Sequence, residues 1–481
     1  MTHPFDRYSK FTDVESLKEM SSKPLRKSLR VNTLKCTVEE LKNWGASKDW
    51  SLEPVPWCPE AFFIDRVDRE EALGKDLMHI LGHFYMQEAA SMLPVALLDP
   101  KPGERVLDMS AAPGSKTTQM AARMQNTGIL IANDVQEKRI WSLITNLQRC
   151  ASINAVVTRK VGQWFAGNMT ERFDRVLCDA PCTAQGTVRK DSDALTYCSL
   201  DNIGKMANLQ KELLESAVHA CKVGGRIVYS TCTLTPEENE GVVLSVLNKY
   251  SDQLSVLNPA EILSCDFSKA IEDSGKIQAS FGRTENLPMI RLWPQTYDTE
   301  GFFSVVIEKR APTKDRVGKK PMEGHRWAAM PKARSRDITE SLGEWYGTGF
   351  LHEGEILLEN KEQIFMLPEA VVDFFLPVLP YMTGLPFAKN TTHGFPRLSH
   401  EIATLRGHEA TKQVLSLSSE DLKSAFKGVN LKIEKSSCED GDVLLAMESP
   451  ALKKHLTFGR GMLKAGTLLN RLPREIVRMF S

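Results

Sequence analysis

Two cysteines lie where short apolar runs end, in residues 178–191 (CDAPCTAQGTVRKD) and 228–241 (VYSTCTLTPEENEG). A thiolate is a strong nucleophile that forms covalent bonds with electrophilic carbons. A lone cysteine is more often a buried, inert apolar residue. Cys182 and Cys232 follow runs that we expect to be neighbouring strands of one sheet, so both thiols can reach one bound substrate. Together with the carboxylate of Asp179, they indicate covalent catalysis.

A second chemical signal is the loop DMSAAPGSKTTQ, residues 108–119, which also follows a short apolar run. Small residues there let a ligand approach the backbone, and the next helix offers its N-terminal amides to a carboxylate or phosphate. The loop lacks the first glycine of a Walker motif, and the sequence contains no GxGxxG. It indicates a small anionic or zwitterionic cofactor, with a purely structural tight turn as the alternative.

Asp134 ends the next apolar run along the chain. At this place in a doubly wound sheet an acidic side chain can accept hydrogen bonds from both hydroxyls of a ribose. Asp134 therefore favours a nucleoside cofactor. Capping of the following helix is the alternative role, and it is compatible with the first.

The elements that must position these residues follow an alternating pattern of short apolar runs and helical segments, typical of a parallel sheet wound with helices. The sequence therefore predicts an α/β fold. The predicted strands are 105–109, 128–134, 153–159, 173–179 and 225–231; the predicted helices are 115–124, 136–149, 202–221 and 236–250; and residues 287–293 and 302–309 form a predicted antiparallel closing pair.

The start of the last predicted helix is marked by Thr235, Pro236 and Glu238. They match a capping box, with Thr235 as N-cap, Pro236 in the first turn and Glu238 reaching back to the N-cap amide. This start would hold Cys232 in a strand-to-helix turn.

Length and composition are those of a folded protein with more than one domain: 481 residues, 42% apolar and 25% charged. The motifs divide the chain into an N-terminal segment (1–95), a central domain that carries the cysteine pair (96–310), a basic linker (311–336) and a C-terminal α+β module (337–481). The N-terminus lacks a secretory signal, and the richest apolar run, 371–382, is interrupted by prolines. We therefore expect a cytoplasmic protein without a membrane anchor.

Ten cysteines are scattered along this chain without regular spacing. Without a secretory signal, this pattern argues against a disulfide framework and predicts reduced thiols. No C-x-x-C pair is present, so we expect no metal site.

Charge is unevenly distributed although the net charge is zero. Residues 23–35 hold five Lys or Arg and no acid, residues 312–336 hold eight against two acids, and residues 452–481 hold seven against one. A single basic tract is usually a solvated face. Three tracts that converge on one surface would bind a polyanion such as RNA.

The motifs DMSAAPGSKT, ANDV, DAPC, VRKD and YSTCT, in this order and spacing, resemble those of the Sun-type RNA (cytosine-5) methyltransferases. RVNTLK, YMQEAASMLP and EGFF also match. The resemblance is dense over residues 25–310 and weaker beyond. It implies a catalytic domain (96–310) with a Rossmann-like sheet that uses S-adenosyl-L-methionine, a small N-terminal RNA-binding or cap domain (1–95) and a PUA-like RNA-binding C-terminal module (337–481).

The resemblance also implies roles for individual residues. Cys232 would attack C6 of the cytosine, Cys182 would assist release of the methylated RNA, and Asp179 would bind the N3/N4 edge of the base and lie beside the cofactor. Lys116 would lie near both substrate and cofactor, and Asp134 would hold the ribose. The cofactor's methionine part would be surrounded by Ser110, Ala111, Ala112, Pro113, Gly114, Ser115 and Lys116.

The chain length, the basic linker and the ending LPREIVRMF most resemble a bacterial branch of this family. The resemblance implies one cytosine in the decoding region of 16S rRNA, presented within the small ribosomal subunit, as the target of a monomeric enzyme. The same chemistry on a tRNA or another rRNA cytosine is the alternative. A DNA cytosine-5 methyltransferase would attack from Cys182 instead.

Two departures from the family pattern stand out. Val161 occupies a position where the family usually has an acid near the adenine, and it cannot make that hydrogen bond. This motivates a second alternative, a non-catalytic RNA-binding assembly factor with reduced cofactor affinity. After Cys182, residues 183–186 read Thr-Ala-Gln-Gly in place of the usual Ser-Gly-Glu-Gly.

Overall fold

A computed structural model of the chain describes residues 3–67, 72–313, 327–391, 395–434, 436–452 and 454–480. Its N-terminal part forms a small antiparallel sheet which, within these residues, has four strands in the order β2-β3-β1-β4. The elements are α1 (Val14–Ser22), β1 (Ser28–Val31), α2 (Val38–Ala46), β2 (Trp50–Val55), β3 (Cys58–Arg66), α3 (Leu77–Ile80) and β4 (Phe84–Met86).

One residue of β1 ties this sheet to the centre of the molecule. Arg30 is 1% exposed, and its guanidinium donates to Gln87 Oε1 and to Thr118 Oγ1, each at 2.9 Å. Because Thr118 lies within residues 108–119, in the part of that segment that is helical, the N-terminal sheet holds this segment in place.

The central part alternates strands and helices as the sequence predicts. Its first half contains α4 (Ala89–Leu98), β5 (Arg105–Asp108), α5 (Ser115–Arg123), β6 (Ile129–Asn133), α6 (Glu137–Arg149), β7 (Ala155–Thr158), α7 (Trp164–Asn168) and β8 (Phe173–Asp179). Its second half contains α8 (Leu200–Ala220), β9 (Cys221–Thr231), α9 (Glu240–Lys249), β10 (Leu254–Val256), α10 (Ser268–Ser280), β11 (Ile290–Leu292), α11 (Pro294–Tyr297) and β12 (Phe302–Lys309).

The C-terminal part mixes short strands and helices, as expected for an α+β module. It contains α12 (Lys332–Tyr346), β13 (Glu355–Asn360), β14 (Gln363–Pro368), β15 (Met382–Thr383), β16 (Leu385–Lys389), β17 (Arg397–Leu398), α13 (His400–Arg406), β18 (Val414–Ser416), α14 (Ser419–Phe426), β19 (Leu431–Lys432), β20 (Gly441–Ser449), β21 (Lys454–Lys464), β22 (Thr467–Asn470) and α15 (Arg474–Phe480).

The central sheet has, among the described residues, the path β10-β12-β9-β8-β5-β6-β7-β15, with β11 also paired to β12. The strands β9, β8, β5, β6 and β7 are parallel neighbours, and β12 is antiparallel to β9. Since β5 lies between β6 and β8, the direction of winding reverses at β5. Ligands of such sheets bind in the crevice at the carboxyl ends of these strands.

Burial explains why these segments form the sheet. Every residue of β6 and β7 is buried, as expected for parallel strands covered by helices on both faces. Helix α6 packs through Ile140, Leu143 and Leu147, which share one face at helical spacing.

The predicted Rossmann-like architecture is confirmed, including the antiparallel closure by β11 and β12. The predicted start of the helix after Cys232 is wrong. Residues 236–239 form a turn, and α9 begins at Glu240 with Asn239 as its N-cap. The side chain of Glu238 turns inward instead of reaching back to the N-cap amide, so no capping box forms.

The C-terminal part is joined to the central sheet. Its strand β15 pairs antiparallel with β7, with Met382 opposite Val157, and the ring of Phe374 lies 6.1 Å from that of Phe173. The PUA-like character of this part and the domain boundaries stay predictions. Residues 314–326 of the expected basic linker lie outside the described residues, and residues 332–336 begin α12.

Candidate active site

Two adjoining cavities lie at the carboxyl ends of the central strands. The first cavity has a volume of about 340 Å³ and the second about 370 Å³, both within the usual range of small-molecule sites. Their shared wall is formed by Ser110, Ala112, Arg139, Asp179 and Ala180. Two ligands bound in the two cavities would therefore meet beside Asp179.

The 108–119 loop serves both cavities. Ser110 and Ala112 line both, whereas Ala111, Pro113, Ser115 and Lys116 line the second. Gly114, the remaining predicted cofactor residue, lines neither.

Gly114 has a different structural task. Its φ is +110°, and a Cβ added there would lie 3.2 Å from Leu143 Cδ1. Glycine therefore lets the start of α5 approach α6 closely.

Asp134 lies directly after β6 in the wall of the first cavity and is 2% exposed. Its Oδ1 accepts the amide of Gln136 at 2.8 Å, and its Oδ2 accepts the amide of Ala112 at 3.2 Å. The carboxylate keeps lone pairs for a ligand, so the expected ribose contact stays open. Asp134 does not cap α6, because the N-cap of this helix is Gln136, whose amide Asp134 accepts.

The rest of the first cavity provides apolar walls, formed by Met109, Val135, Val161, Pro181, Leu209 and Leu213. A buried carboxylate beside apolar walls fits a nucleoside, whose ribose donates hydrogen bonds and whose base packs against carbon atoms. Val161 is 55% exposed at the cavity's edge and offers no hydrogen bond.

Asp179 and Lys116 form an ion pair at the junction of the cavities. Lys116 Nζ lies 2.8 Å from Asp179 Oδ2, and Ser230 Oγ donates to Asp179 Oδ1 at 2.7 Å. Burial is the largest influence and lowers the pKa of Lys116, but the charge and hydrogen bond of Asp179, with the nearby Cys232 and Asp108, together raise it above its ordinary value. Lys116 therefore stays protonated and can donate a hydrogen bond to a bound base.

The two candidate cysteines touch. The Sγ atoms of Cys182 and Cys232 are 3.4 Å apart, and Cys232 lines the second cavity. The hydrogen bond to Cys232 and burial together raise the pKa of Cys182 well above its ordinary value. Cys182 therefore keeps its proton, and either thiol can be the donor in the contact between the two sulfur atoms.

The backbone around Cys232 is stabilised by contacts of three consecutive side chains, those of Glu238, Asn239 and Glu240. Glu238 accepts the amide of Thr183 at 3.0 Å and a short hydrogen bond from the Thr183 hydroxyl, which fixes the loop after Cys182. Gln210 Nε2 donates to the same carboxylate at 2.8 Å.

Asn239 clamps the residues that flank Cys232. Its Nδ2 donates to the carbonyl of Thr233 at 3.0 Å, and its Oδ1 accepts the hydroxyl of Thr231 at 2.5 Å. Glu240 forms a fully buried ion pair with Arg291 at 2.5 Å, and Arg291 also donates to the carbonyl of Leu234 at 2.8 Å. The position of the thiol is therefore set by side chains that follow it in sequence.

Gln185 stands where the family usually has glutamate. Its Nε2 donates to the Thr183 hydroxyl at 2.8 Å, and its Oε1 accepts hydrogen bonds from Thr235 at 3.1 Å and, at shorter range, from Thr233. A neutral side chain here avoids placing a second carboxylate against buried Glu238. The preceding Ala184 has φ +58°, a left-handed conformation in which glycine is less strained.

Sequence reasoning missed three acids of the site: Asp108, Glu88 and Glu300. Burial raises the pKa of Asp108 to about 7, against the hydrogen bond that Thr117 donates at 2.7 Å. Glu88 and Glu300 line the second cavity. Their signal was an acid inside apolar stretches, in YMQEAASMLP and EGFF.

The basic tract at 23–35 divides into structural and exposed residues. Arg30 is buried, and Lys35 Nζ donates to the Leu81 carbonyl at 2.6 Å and to Thr404 Oγ1 at 3.1 Å. Lys23 and Lys27 are exposed, and Lys23 also forms a surface ion pair with Glu19 at 2.8 Å.

Among the described residues, no helix is long and apolar enough to span a membrane. In the same part of the chain, no group of three or more His, Cys, Asp or Glu side chains is arranged to hold a metal ion.

Comparisons with known proteins agree with this geometry. Residues 95–308 match a family described as 16S rRNA methyltransferase RsmB/F, and residues 7–89 match the N-terminal domain of 16S rRNA methyltransferase RsmF. Ribosomal RNA small subunit methyltransferase F of Vibrio cholerae is 37% identical, over 95% of this chain and 92% of that protein. The same-named protein of Vibrio atlanticus is 35% identical, over 99% and 97%.

Two solved structures from Pyrococcus horikoshii are also similar. A methyltransferase homolog is 34% identical, with a TM-score of 0.54, over 63% of this chain and 93% of that one. NSun6 is 21% identical, with a TM-score of 0.54, over 65% of this chain and 98% of that one, and it shows the shared fold. With its two matched domains and its full-length relatives, the chain belongs to the ribosomal RNA small subunit methyltransferase F family.

Proposed function

We propose that the protein methylates C5 of one cytosine in the decoding region of 16S rRNA, within the small ribosomal subunit, through a covalent bond between Cys232 and C6. The single observation that carries this proposal is the 3.4 Å contact between Cys182 and Cys232, next to the ion pair of Lys116 and Asp179. Two thiols suit a reaction in which one adds to the base and the other assists its departure.

S-adenosylmethionine is the methyl donor of this family and supplies an electrophilic methyl group when bound. The first cavity suits its nucleoside: Asp134 would hold the ribose, and the apolar walls would hold the adenine. Ser110 and Ala112, at the shared wall, would direct the sulfonium end toward the second cavity.

The residues of the second cavity perform the chemistry on the base. The Cys232 thiolate adds to C6, which makes C5 nucleophilic, and Asp179 with Lys116 stabilises the polar edge of the base as the adduct forms. C5 would then take the methyl group as the bond between this methyl and the sulfonium sulfur breaks, which leaves the neutral thioether S-adenosylhomocysteine. Loss of the C5 proton to a water molecule would restore the C5–C6 double bond and expel the Cys232 thiolate, toward which the Cys182 thiol would donate a hydrogen bond.

The target must leave its base stack to reach the second cavity, so base flipping accompanies binding. Exposed lysines such as Lys23 and Lys27 would hold phosphates outside the cavity and make affinity salt-dependent. We also propose that the enzyme works in the cytoplasm as a monomer.

Adduct trapping tests the assignment of the cysteines. Small subunits purified from a strain lacking the gene would be mixed with each variant, and the covalent protein–RNA complex would be measured after denaturation. Cys182→Ala should accumulate the complex, and Cys232→Ala should form none. Cys178→Ala, which alters a buried thiol in β8, is the matched control and should behave as wild type.

Retention of the complex in Cys232→Ala with its loss in Cys182→Ala would reverse the assignment. Mapping of 5-methylcytosine in total RNA from cells with and without the gene tests the target. An unchanged 16S rRNA map would contradict the rRNA proposal, and a lost tRNA site would support the tRNA alternative.

A second candidate function, an RNA-binding assembly factor without catalysis, is favoured by Val161 at the edge of the first cavity. Calorimetry of the protein with S-adenosylmethionine separates the two, because only the enzyme needs measurable binding at millimolar cofactor.

A further inference from the structure

The wall of the second cavity contains a buried carboxyl group that the proposed chemistry does not use. Glu300 is 6% exposed, and its Oε1 accepts no hydrogen bond from any part of the chain that the structure describes. Buried polar atoms in folded proteins nearly always have a partner. Since Glu300 also lines the second cavity, its carboxyl group is suited to accept a hydrogen bond from a ligand bound there.

The backbone around Glu300 is fixed, so this side chain has a defined position. Glu88 Oε1 accepts the amide of Glu300 at 3.2 Å. Arg189 donates to the carbonyl of Thr299 at 3.2 Å and pairs with Asp298 at 2.8 Å. Site residues held this firmly are typical of preorganised ligand contacts.

The same segment is tied to the nucleophile. The amide of Gly301 donates to the carbonyl of Gly186 at 2.9 Å, and the amide of Gly186 donates to the carbonyl of Cys232 at 3.0 Å. A Cβ on Gly186 would lie 2.2 Å from Gly301 O and 2.6 Å from Cys232 O. Glu300 and Cys232 are therefore held at a fixed spacing through Gly186.

Charges around Glu300 indicate which part of a nucleotide lies beside it. The positive charges of Lys116 and Lys190 both act to lower the pKa of Glu300, and both side chains line the second cavity. In the proposed function, Lys116 lies beside the base. Lys190 is exposed and is suited to a phosphate. The ribose of a nucleotide lies between its base and its phosphate.

Burial and the charge of Glu88 raise the pKa of Glu300 to about 7. In either protonation state the group keeps an acceptor oxygen. The base offers its exocyclic amine as a donor, but the proposed function gives that contact to Asp179. The ribose 2′-hydroxyl is then the donor without an assigned acceptor.

We propose that Glu300 accepts a hydrogen bond from the 2′-hydroxyl of the target nucleotide and thereby makes the enzyme select ribose over deoxyribose. This hydroxyl is the group by which a protein distinguishes RNA from DNA at one site. The inference rests on the proposed function, because it needs a flipped cytidine in the second cavity.

The test uses small subunits reconstituted with 16S rRNA that carries either cytidine or 2′-deoxycytidine at the one position mapped as the target. Wild type should methylate the ribose form about 10- to 100-fold faster, as expected for a hydrogen bond to a carboxylate. Glu300→Ala should lower the rate on the ribose form to that on the deoxy form. Glu300→Gln keeps a neutral acceptor and should give an intermediate preference.

The matched control is Glu285→Ala, an exposed acid that lines neither cavity, and it should keep the full preference. Thermal unfolding of both Glu300 variants should occur at or above the wild-type temperature, because the carboxyl oxygen that they remove has no partner. A purely structural Glu300 would instead lower that temperature and leave the preference unchanged.

Equal rates of wild type on the two forms, or a full preference in Glu300→Ala, would overturn the inference. If Glu300→Ala does not fold, an undiminished preference in Glu300→Gln overturns it. No methylation of the ribose form by wild type is a separate outcome, which contradicts the proposed function itself.

Discussion

The carboxylate of Glu238 accepts the backbone amide of Thr183 at 3.0 Å, and this contact joins the two loops that carry the cysteines. Glu238 is fully buried and lies six residues after Cys232, whereas Thr183 directly follows Cys182. The spacing of the two sulfur atoms therefore depends on one carboxylate.

Glu238→Gln should weaken both stability and methylation. Donors approach both oxygens of this carboxylate, so an amide nitrogen at either position leaves a buried donor unpaired, at a cost of about 1–3 kcal/mol. We expect the free energy of unfolding in urea to fall by that amount and the methylation rate to fall at least tenfold. Glu237→Gln, which changes the half-exposed neighbour paired with Arg7, is the control. Equal effects of the two variants would contradict the role of Glu238.

Val161→Asp should strengthen cofactor binding. The side chain lies at the edge of the first cavity, where an added carboxylate can accept one hydrogen bond from the adenine. One such bond is worth about 1 kcal/mol, so we expect roughly a fivefold lower dissociation constant by calorimetry. Val223→Asp alters an exposed valine outside both cavities and should not change affinity. Weaker binding in Val161→Asp would show that the adenine lies elsewhere.

Ala184→Gly should stabilise the loop after Cys182. The φ of +58° costs an alanine about 1–2 kcal/mol, and the greater freedom of glycine in the unfolded chain offsets about half of this. We expect a net gain of about 0.5–1 kcal/mol, visible as a higher midpoint of thermal unfolding. Gly186→Ala is the opposite case and should unfold the loop, because its Cβ would collide with the Cys232 carbonyl.

Asp108 should make stability depend on pH. Burial raises its pKa to about 7 in the folded protein, whereas an unfolded aspartate titrates near 4. Between these pH values the folded state holds the extra proton, so the free energy of unfolding falls as the pH rises from about 4 to about 7. Above pH 7 this contribution of Asp108 is lost.

Urea unfolding at pH 5 and pH 8 measures this contribution. From pH 5 to pH 8 the free energy of unfolding of the wild type should fall by on the order of 2–3 kcal/mol more than that of Asp108→Asn, because asparagine does not titrate. Asp201→Asn, in an exposed helical turn, should keep the wild-type difference. The same loss in Asp108→Asn and wild type would contradict the buried, protonated state.

Local patterns were sufficient to predict the central sheet. The predicted strand 173–179 coincides with β8, and the other predicted strands of the sheet overlap their observed counterparts. Short apolar runs that alternate with helical segments indicate which strands are buried between helices. Because Cys182 and Cys232 both follow the carboxyl ends of parallel strands, they lie at the same edge of the sheet. The roles of these residues stay predictions that the experiments above address.

Contacts between distant segments could not be predicted in this way. Thr235 and Glu238 have the spacing of a capping box, but Glu238 makes better hydrogen bonds with Thr183, 55 residues away. The only local signal of Glu300 is an acid beside apolar residues, because its position depends on contacts that Glu88 and Arg189 make with residues 299 and 300. Such contacts depend on the tertiary arrangement, which periodicity does not encode.

The pairing of β15 with β7 has a consequence for the folding of the chain. Tyr381 and Gly384 donate their amides to Val157 and Ala155, so the backbone on this side of the catalytic sheet is satisfied by residues more than 200 positions later. A chain shortened before residue 381 would leave β7, whose four residues are all buried in the intact protein, as an open edge strand, the kind of edge along which proteins aggregate. The C-terminal part therefore protects the sheet against self-association, whatever it contributes to RNA binding.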